Sequence, residues 1–366
     1  MSTTIDAPAT AGPATEEQAG AIMERLFEAV LGELEISTVW LGVKLGLYDA
    51  LAEPATSAEV AAATGVVERY AREWLEQQAI AGLVSVRGDD QATRTFHLSE
   101  AQRLAFTDTA SPFYVGALAL LGGGCGASMP TVLEAWRAGR GVSFGEYGED
   151  VRLGQGMFNR GTFEGPLVQE FLPAVPEVDA LLRRDGARAL DLGCGVGWSG
   201  IALASAYPGL TVDGIDSDEA SIMDARSHAA EAGVGDRARY EVRLSDADAE
   251  DTYDVAFFFE SLHDMGHPVE ALRAVRRALR PGGRVLVMDE GAEEEFAPDG
   301  SPVERFLGAC SVLHCLPVGM SEEGSAGTGA MFRPSTMRRY AAEAGYSEVQ
   351  VPAIEHEMFR FYVLVP

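Results

Sequence analysis

"LDLGCGVGWSG", residues 190–200, decides how the rest of the chain is read. An apolar run ends in Asp191 and passes into Gly193, Gly195 and Gly197, and a helical pattern, "GWSGIALASAYP", follows. Glycines at such a strand-to-helix turn adopt conformations closed to other residues and let a ligand approach the main chain. Gly195, Gly197 and Gly200 also satisfy the G-x-G-x-x-G of dinucleotide-binding turns, so the loop alone leaves the nucleotide open. Asp191 argues against a pyrophosphate, which its carboxylate would repel, and for a ligand with an ammonium group. Asp216 ends the next apolar run, "LTVDGID", where a carboxylate can accept hydrogen bonds from ribose hydroxyls; both nucleotide classes use such an acid.

Working outward, "ARALDLGC", "LTVDGID", "RYEVRL", "YDVAFFFE" and "GRVLVMDE" are apolar runs of strand length. Helical patterns separate them, among them "DEASIMDARSHAAEAG" and "PVEALRAVRRALRPGG". That alternation predicts an α/β domain with a parallel, doubly wound sheet over residues 176–366. The end, "SEVQVPAIEHEMFRFYVLV", reads as two strands joined by a short turn, an antiparallel edge hairpin that departs from dinucleotide folds.

Upstream the texture is helical. "AIMERLFEAVLGELEISTVWLGVKLGLYDAL" repeats apolar residues at three- and four-residue spacing. "TSAEVAAATGV" offers Thr56 or Ser57 as an N-cap and Gly65 as a turn, and "VERYAREWLEQQAIAGLV" follows as a second helix. "VSVRGDDQATRTFHLS" then reads as two short strands around a polar turn. This is the order of a winged helix, predicted over residues 20–107. Its would-be recognition helix carries Glu68, Arg69, Arg72, Glu73 and Glu76, and the wing shows Asp89 and Asp90. A groove-reading helix needs a basic face, so the module is expected to serve dimerisation and substrate cover rather than DNA. Residues 108–175 form a Gly- and aromatic-rich connector, and residues 1–19 read as a disordered leader without a signal peptide.

Bulk properties exclude several partners. With 56 acidic against 28 basic residues the formal net charge is −28, which repels phosphate backbones and anionic lipid. The four cysteines, Cys125, Cys194, Cys310 and Cys315, contain no C-x-x-C pair, and a reducing cytoplasm fits them. The uncharged stretch "TASPFYVGALALLGGGCGASMPTVL" is broken by glycines and bracketed by Pro112 and Pro130, so a buried helix packed between domains is expected rather than a membrane span.

"ALDLGCGVGWSGIALASAYPGLTVDGID", "LHD" after the fourth strand and "ALRPGGRVLVMDE" at the fifth resemble class I S-adenosylmethionine-dependent methyltransferases. More narrowly, the chain resembles bacterial small-molecule enzymes with an N-terminal winged-helix-like dimerisation domain, relatives of the plant-type O-methyltransferases. The resemblance covers nearly everything after the leader and is strongest over residues 186–290. It implies a Rossmann-like methyltransferase sheet and S-adenosylmethionine as cofactor. Asp191, Gly193, Gly195 and Gly197 would hold the methionine moiety, Asp216 with Ser217 the ribose, and Asp246 with Ser245 the adenine. Glu260 and Ser261 would line the floor near the methyl group. The resemblance also implies a homodimer.

"ESLHDMGH", residues 260–267, directly follows the fourth strand, where doubly wound sheets bind their ligands. Histidine titrates near neutral pH and suits removal of a proton from a hydroxyl nucleophile. The resemblance makes His263 that general base, although the tryptophan that often follows the His-Asp pair is Met265 here. Its acidic partner is not identifiable from the sequence; Glu290 is the candidate, with Glu322 and Glu323 in a variable loop. His263 and His267 have the spacing of a zinc pair, but Pro268 fits a first helical position and puts both before the helix, so no metal is expected. Phe158, Asn159, Phe163, His314 and Met320 are candidates to line the pocket of a moderately hydrophobic small-molecule acceptor. The reading is O-methyl transfer, with C- or N-methylation and a non-catalytic ligand-sensing regulator as alternatives.

Overall fold

The computed structural model describes residues 13–366 except 110, 112 and 245–249, so Ser245 and Asp246 lie outside the described residues. The chain divides into two compact units, Met1–Thr107 and Asp108–Pro366.

In the first unit, α1 spans Pro13–Lys44, so residues 13–19 are helical rather than part of a disordered leader. Glu16 sits in its first turn, where the exposed amides and the helix dipole favour negative charge. Helix α2, Ser57–Thr64, opens on a capping box: Thr56 accepts from the Glu59 amide, and the Glu59 carboxylate accepts from the Thr56 amide at 2.7 Å. Helix α3 spans Glu68–Ile80; β1, Ser85–Arg87, pairs antiparallel with β2, Thr95–His97; α4, Glu100–Phe106, closes the unit. Its interior is tied by Tyr48 donating to Gln78 Oε1 at 2.6 Å and Trp74 Nε1 donating to the Thr38 carbonyl at 2.8 Å.

The second unit begins with α5, Gly116–Ala138, and α6, Gly148–Thr162, which runs on into a wide π-type segment, Phe163–Phe171. A Cβ on Gly154 would sit 2.7 Å from the Leu121 amide nitrogen, so glycine is what lets these two backbones touch. Helix α5 is long and apolar enough to cross a membrane by length and composition. It packs on α6 on one side, while Met129, Leu133 and Trp136 on another side are exposed, so it is not the fully buried helix expected from its composition.

Helix α7, Pro176–Leu182, leads into the sheet. Strand β3, Arg188–Leu192, α8, Trp198–Ala206, β4, Thr211–Asp216, α9, Glu219–Glu231, and β5, Ala238–Val242, alternate as predicted. Then come β6, Tyr253–Phe259, α10, Pro268–Ala278, and β7, Leu279–Glu290. Helices α11, Pro302–Cys310, α12, Leu316–Gly319, and α13, Pro334–Ala344, precede β8, Glu348–Gln350, and β9, Phe359–Val365. The sheet order is β5-β4-β3-β6-β7-β9-β8. Its first five strands are parallel; β9 runs antiparallel between β7 and β8, which completes the terminal hairpin.

Every residue of β6 is buried. Val255, Phe257 and Phe259 face one core layer with Ala189 and Leu203, while Ala256 and Phe258 face the other with Leu190 and Leu272. Alternation along a strand covered on both faces makes β6 read as a continuous apolar run, and it aims the carboxyl ends of β3, β4, β6 and β7 at one edge.

Candidate active site

At that edge the chain leaves β3 through a loop in which Gly193, Gly195 and Gly197 all take positive φ, 71°, 51° and 85°. A Cβ on Gly193 would meet Ser261 Cβ at 2.5 Å, so the loop sits hard against the end of β6. Ser261 fastens the same junction by donating to the Leu192 carbonyl at 2.7 Å. Beneath the loop Asp191 is fully buried; its Oδ2 accepts from Ser199 at 2.5 Å and its Oδ1 has no partner. Burial pushes the Asp191 carboxyl up to about 7, opposed by the Ser199 hydrogen bond. Asp216 turns back on the loop, its Oδ2 accepting from the Gly195 amide at 2.8 Å and its Oδ1 from the Asp218 amide at 2.9 Å.

A cavity of about 210 Å³ opens over these groups. Gly193, Gly195, Gly197, Asp216, Ser217, Glu260 and Ser261 line it, as expected, and so do Asn159 and Phe163 from the helical cover. Asp191 is not on its wall, nor are Phe158, His314, Met320, His263 and Glu290. Phe158 packs against the core of the sheet, and His314 is buried edge-on against Tyr147 and Phe144. Burial pulls His314 down to about 4. The sequence reading missed Arg152 and Gln155 on α6, Trp198 and Asp264, all of which line the cavity. The signal for the first two was present: Arg152, Gln155 and Asn159 recur at helical spacing in "VRLGQGMFN", a polar stripe on an otherwise packed helix.

Glu260 ends β6 in a left-handed conformation, φ 51°, while its amide still donates to the Met288 carbonyl at 2.7 Å. A non-glycine residue there costs roughly 1–3 kcal/mol and is held only where the surroundings over-determine it. The break releases the chain into a single 3₁₀ turn, Leu262–Asp264, and His267 then caps α10. His267 lies 3.9 Å from Glu322, and the two histidines do not form a pair.

His263 is buried between two carboxylates. Its Nδ1 meets Asp289 Oδ1 at 2.6 Å and its Nε2 meets Asp264 Oδ1 at 3.2 Å. The carboxylate against His263 is therefore Asp289, the neighbour of the expected Glu290: neighbouring strand residues point to opposite faces, and Asp289 is the one on the face that meets the imidazole. Burial alone would lower His263, but Asp264 and Asp289 outweigh it and hold the imidazole well above its usual value. Glu290 is buried too, with Oε2 unpartnered; burial and the negative charges of Asp289 and Asp264 push it up against the pull of His263. Cys315 brings its thiol within reach of His263 and Asp264, and burial pushes that thiol up.

The cavity suits a cationic nucleoside better than a phosphate ester. Its arginines are engaged, Arg152 with Asp224 at 2.8 Å, whereas Glu260 Oε1, Gln155 Oε1 and Asn159 Oδ1 are buried acceptors with no donor. S-adenosylmethionine carries an ammonium and a sulfonium that suit such a wall.

Known proteins agree. Residues 190–285 match the methyltransferase domain family, and residues 34–107 match the Rv2258c-like winged helix-turn-helix domain. The chain is 38% identical over 191 residues to 27-O-demethylrifamycin SV methyltransferase of Amycolatopsis mediterranei, covering 48% of this chain and 69% of that protein. It is 31% identical over 195 residues to the ubiquinone biosynthesis O-methyltransferase of Paracidovorax citrulli, covering 51% and 75%. Two solved structures share the fold at low identity. The mitomycin 7-O-methyltransferase MmcR has a TM-score of 0.67 and 21% identity, with 96% of this chain and 100% of that chain covered. Human N-acetylserotonin methyltransferase, crystallised with S-adenosylmethionine, has a TM-score of 0.68 and 17% identity, with 98% and 99% covered. With the glycine loop, the sheet order and the acidic donor cavity on one unit, the chain belongs to the class I S-adenosylmethionine-dependent methyltransferases.

Proposed function

We propose that the enzyme methylates a hydroxyl group of a small organic acceptor, with His263 taking the hydroxyl proton. The observation that carries this reading is the buried 2.6 Å contact between His263 Nδ1 and Asp289, an imidazole fixed in one orientation by a carboxylate behind it. Bound S-adenosylmethionine supplies an electrophilic methyl group on a sulfonium. The chain's part is to hold donor and acceptor in line, exclude water and accept a proton. Gly193, Gly195 and Gly197 hold the amino-acid tail over the buried Asp191, Asp216 and Ser217 the ribose, and Ser261 the floor, while Asn159 and Phe163 face the acceptor. Asp264 lies between the cavity wall and His263 Nε2, so the acceptor hydroxyl reaches the imidazole by displacing the Asp264 contact. Its test is turnover with a panel of hydroxylated and amine acceptors, reading S-adenosylhomocysteine. Hydroxyl-dependent turnover that drops roughly 10²-fold or more in His263→Ala supports the assignment. A His263→Ala rate within a few fold of wild type overturns the base, and turnover of amines alone overturns O-methylation.

We further propose that the first unit dimerises and does not read DNA. On α1, Ile22, Met23, Leu26, Phe27, Val30, Leu31 and Leu34 are exposed, Met23 at 67% and Phe27 at 66%, an apolar stripe of the kind a second copy covers. On α3 the arginines are spent on the helix's own acids, Arg69 with Glu73 at 2.5 Å and Arg72 with Glu68 at 3.7 Å, which leaves no basic face for a phosphate backbone. Sedimentation giving twice the chain mass, and a monomer with Phe27→Asp, is the expected outcome.

A further inference from the structure

Glu260 is a buried acid of the donor cavity with one carboxylate oxygen that no donor meets. Asp216 is spent on the Gly195 and Asp218 amides, and Asp264 faces His263. Glu260 lines the cavity beside Asn159, its residue is 9% exposed, and Oε1 has no partner. The residue also sits in a left-handed backbone conformation that only its surroundings enforce, which fixes where the carboxylate stands. Burial and the neighbouring Glu290 favour the protonated acid while the cavity is empty, against the pull of His263, and a cation bound beside it would favour the carboxylate.

The donor has two positive centres. The ammonium of its amino-acid tail is shared with the product, S-adenosylhomocysteine; the sulfonium is lost on transfer. Glu260 lies three residues before His263, and Asp264, which lines the same cavity, meets His263 Nε2 at 3.2 Å, so Glu260 stands toward the end of the cavity where the acceptor proton leaves. The sulfur that carries the methyl belongs at that end, and the tail at the glycine loop. We infer that Glu260 pairs with the sulfonium and is the residue by which this site distinguishes donor from spent product. Placing the sulfonium at this end rests on the proposed role of His263.

The step balances simply. The carbon–sulfur bond breaks with its electron pair left on sulfur, the carbon–oxygen bond forms, and the hydroxyl proton passes to His263. Sulfur is then neutral, the Glu260 carboxylate has lost the positive charge it faced, and the product is held less tightly than the donor was. Uptake of a proton by Glu260 resets the empty cavity.

Calorimetry tests this without turnover. The wild type is expected to bind S-adenosylmethionine, and sinefungin with its ammonium in place of the sulfonium, more tightly than S-adenosylhomocysteine. Glu260→Gln should weaken the two charged ligands by about tenfold or more and S-adenosylhomocysteine by less than about twofold, that last affinity doubling as the folding control. Equal weakening of all three would assign Glu260 to the shared tail or to scaffold and overturn the inference, as would no change. Should the variant not fold, the wild type in buffers of different ionisation enthalpy serves instead: S-adenosylmethionine should release more protons on binding than S-adenosylhomocysteine, and equal release overturns the inference. A wild type that binds none of these ligands would overturn the donor assignment itself, whereas a harmless His263→Ala would leave the affinity ratio as the measure of Glu260.

Discussion

The glycine loop after β3 and the strand ends of β6 and β7 border one cavity and work by opposite means. The loop uses backbone: three glycines at positive φ, the Gly195 amide turned onto Asp216, and a serine hydroxyl closing Asp191. The β6–β7 end uses charge: Glu260, Asp264, Asp289 and Glu290 crowd around the single imidazole of His263. A backbone cradle needs only local sequence and tolerates its surroundings. A buried charge cluster needs every member, because removing one leaves the others uncompensated.

The largest effect should follow from breaking the charge end. Asp289→Asn leaves the shape of the site intact but removes the charge that orients and stabilises a protonated His263. Methyl transfer is expected to fall by roughly 10²–10⁴-fold, with S-adenosylmethionine affinity within a few fold of wild type. Steady-state kinetics beside calorimetry separate the two, and a parallel loss of affinity would show that the two ends are not independent.

Breaking the backbone end should do the reverse. Gly193→Ala puts a Cβ at 2.5 Å from Ser261 in a residue held at φ 71°. Strain of roughly 1–3 kcal/mol corresponds to about a tenfold to hundredfold loss of donor affinity, read by titration, and the rate at saturating donor should change far less. An unaffected dissociation constant would mean the loop relaxes and does not set donor binding.

A finer probe is pH. His263 must be neutral to accept a proton, and Asp264 and Asp289 hold its protonated form to higher pH than usual. The rate at saturating substrate should therefore rise with pH, with its inflection above the ordinary histidine value of about 6.5. Asp264→Asn removes one of the two charges that favour the imidazolium, so the inflection should move to lower pH. A profile that stays put would show that another group limits the rate.

The smallest expected change is at Arg152, whose ion pair with Asp224 ties α6 to α9 beside the donor end. The pair is partly solvated, and such contacts contribute about 0–1 kcal/mol, so Arg152→Ala should shift donor affinity by no more than a few fold.

The two ends also differ in how far they could be read in advance. Asp191, Gly193, Gly195, Gly197 and Asp216 lie within 26 residues, and a strand that turns into a helix through glycines fixes their relation by local geometry alone. His263 and Glu260 were legible because they follow a strand long enough to recognise. Asp289 was missed by one position. In a strand the choice between neighbours depends on register, and the register of β7 is set by its pairing with β6 and β9. Gln155 and Arg152 carry a helical stripe, but nothing local says what the stripe faces. Phe158, His314 and Met320 have the composition of a pocket wall and sit off the cavity.

The sequence by itself determined the order of strands and helices, the glycine loop and the position of one histidine, because backbone propensity and apolar period act over a few residues. Tertiary structure alone decided the rest. Asp289 stands behind His263, Asp264 stands between His263 and the cavity, and Glu260 keeps one carboxylate oxygen free. Those facts depend on burial and on partners brought from distant parts of the chain, and only packing supplies either.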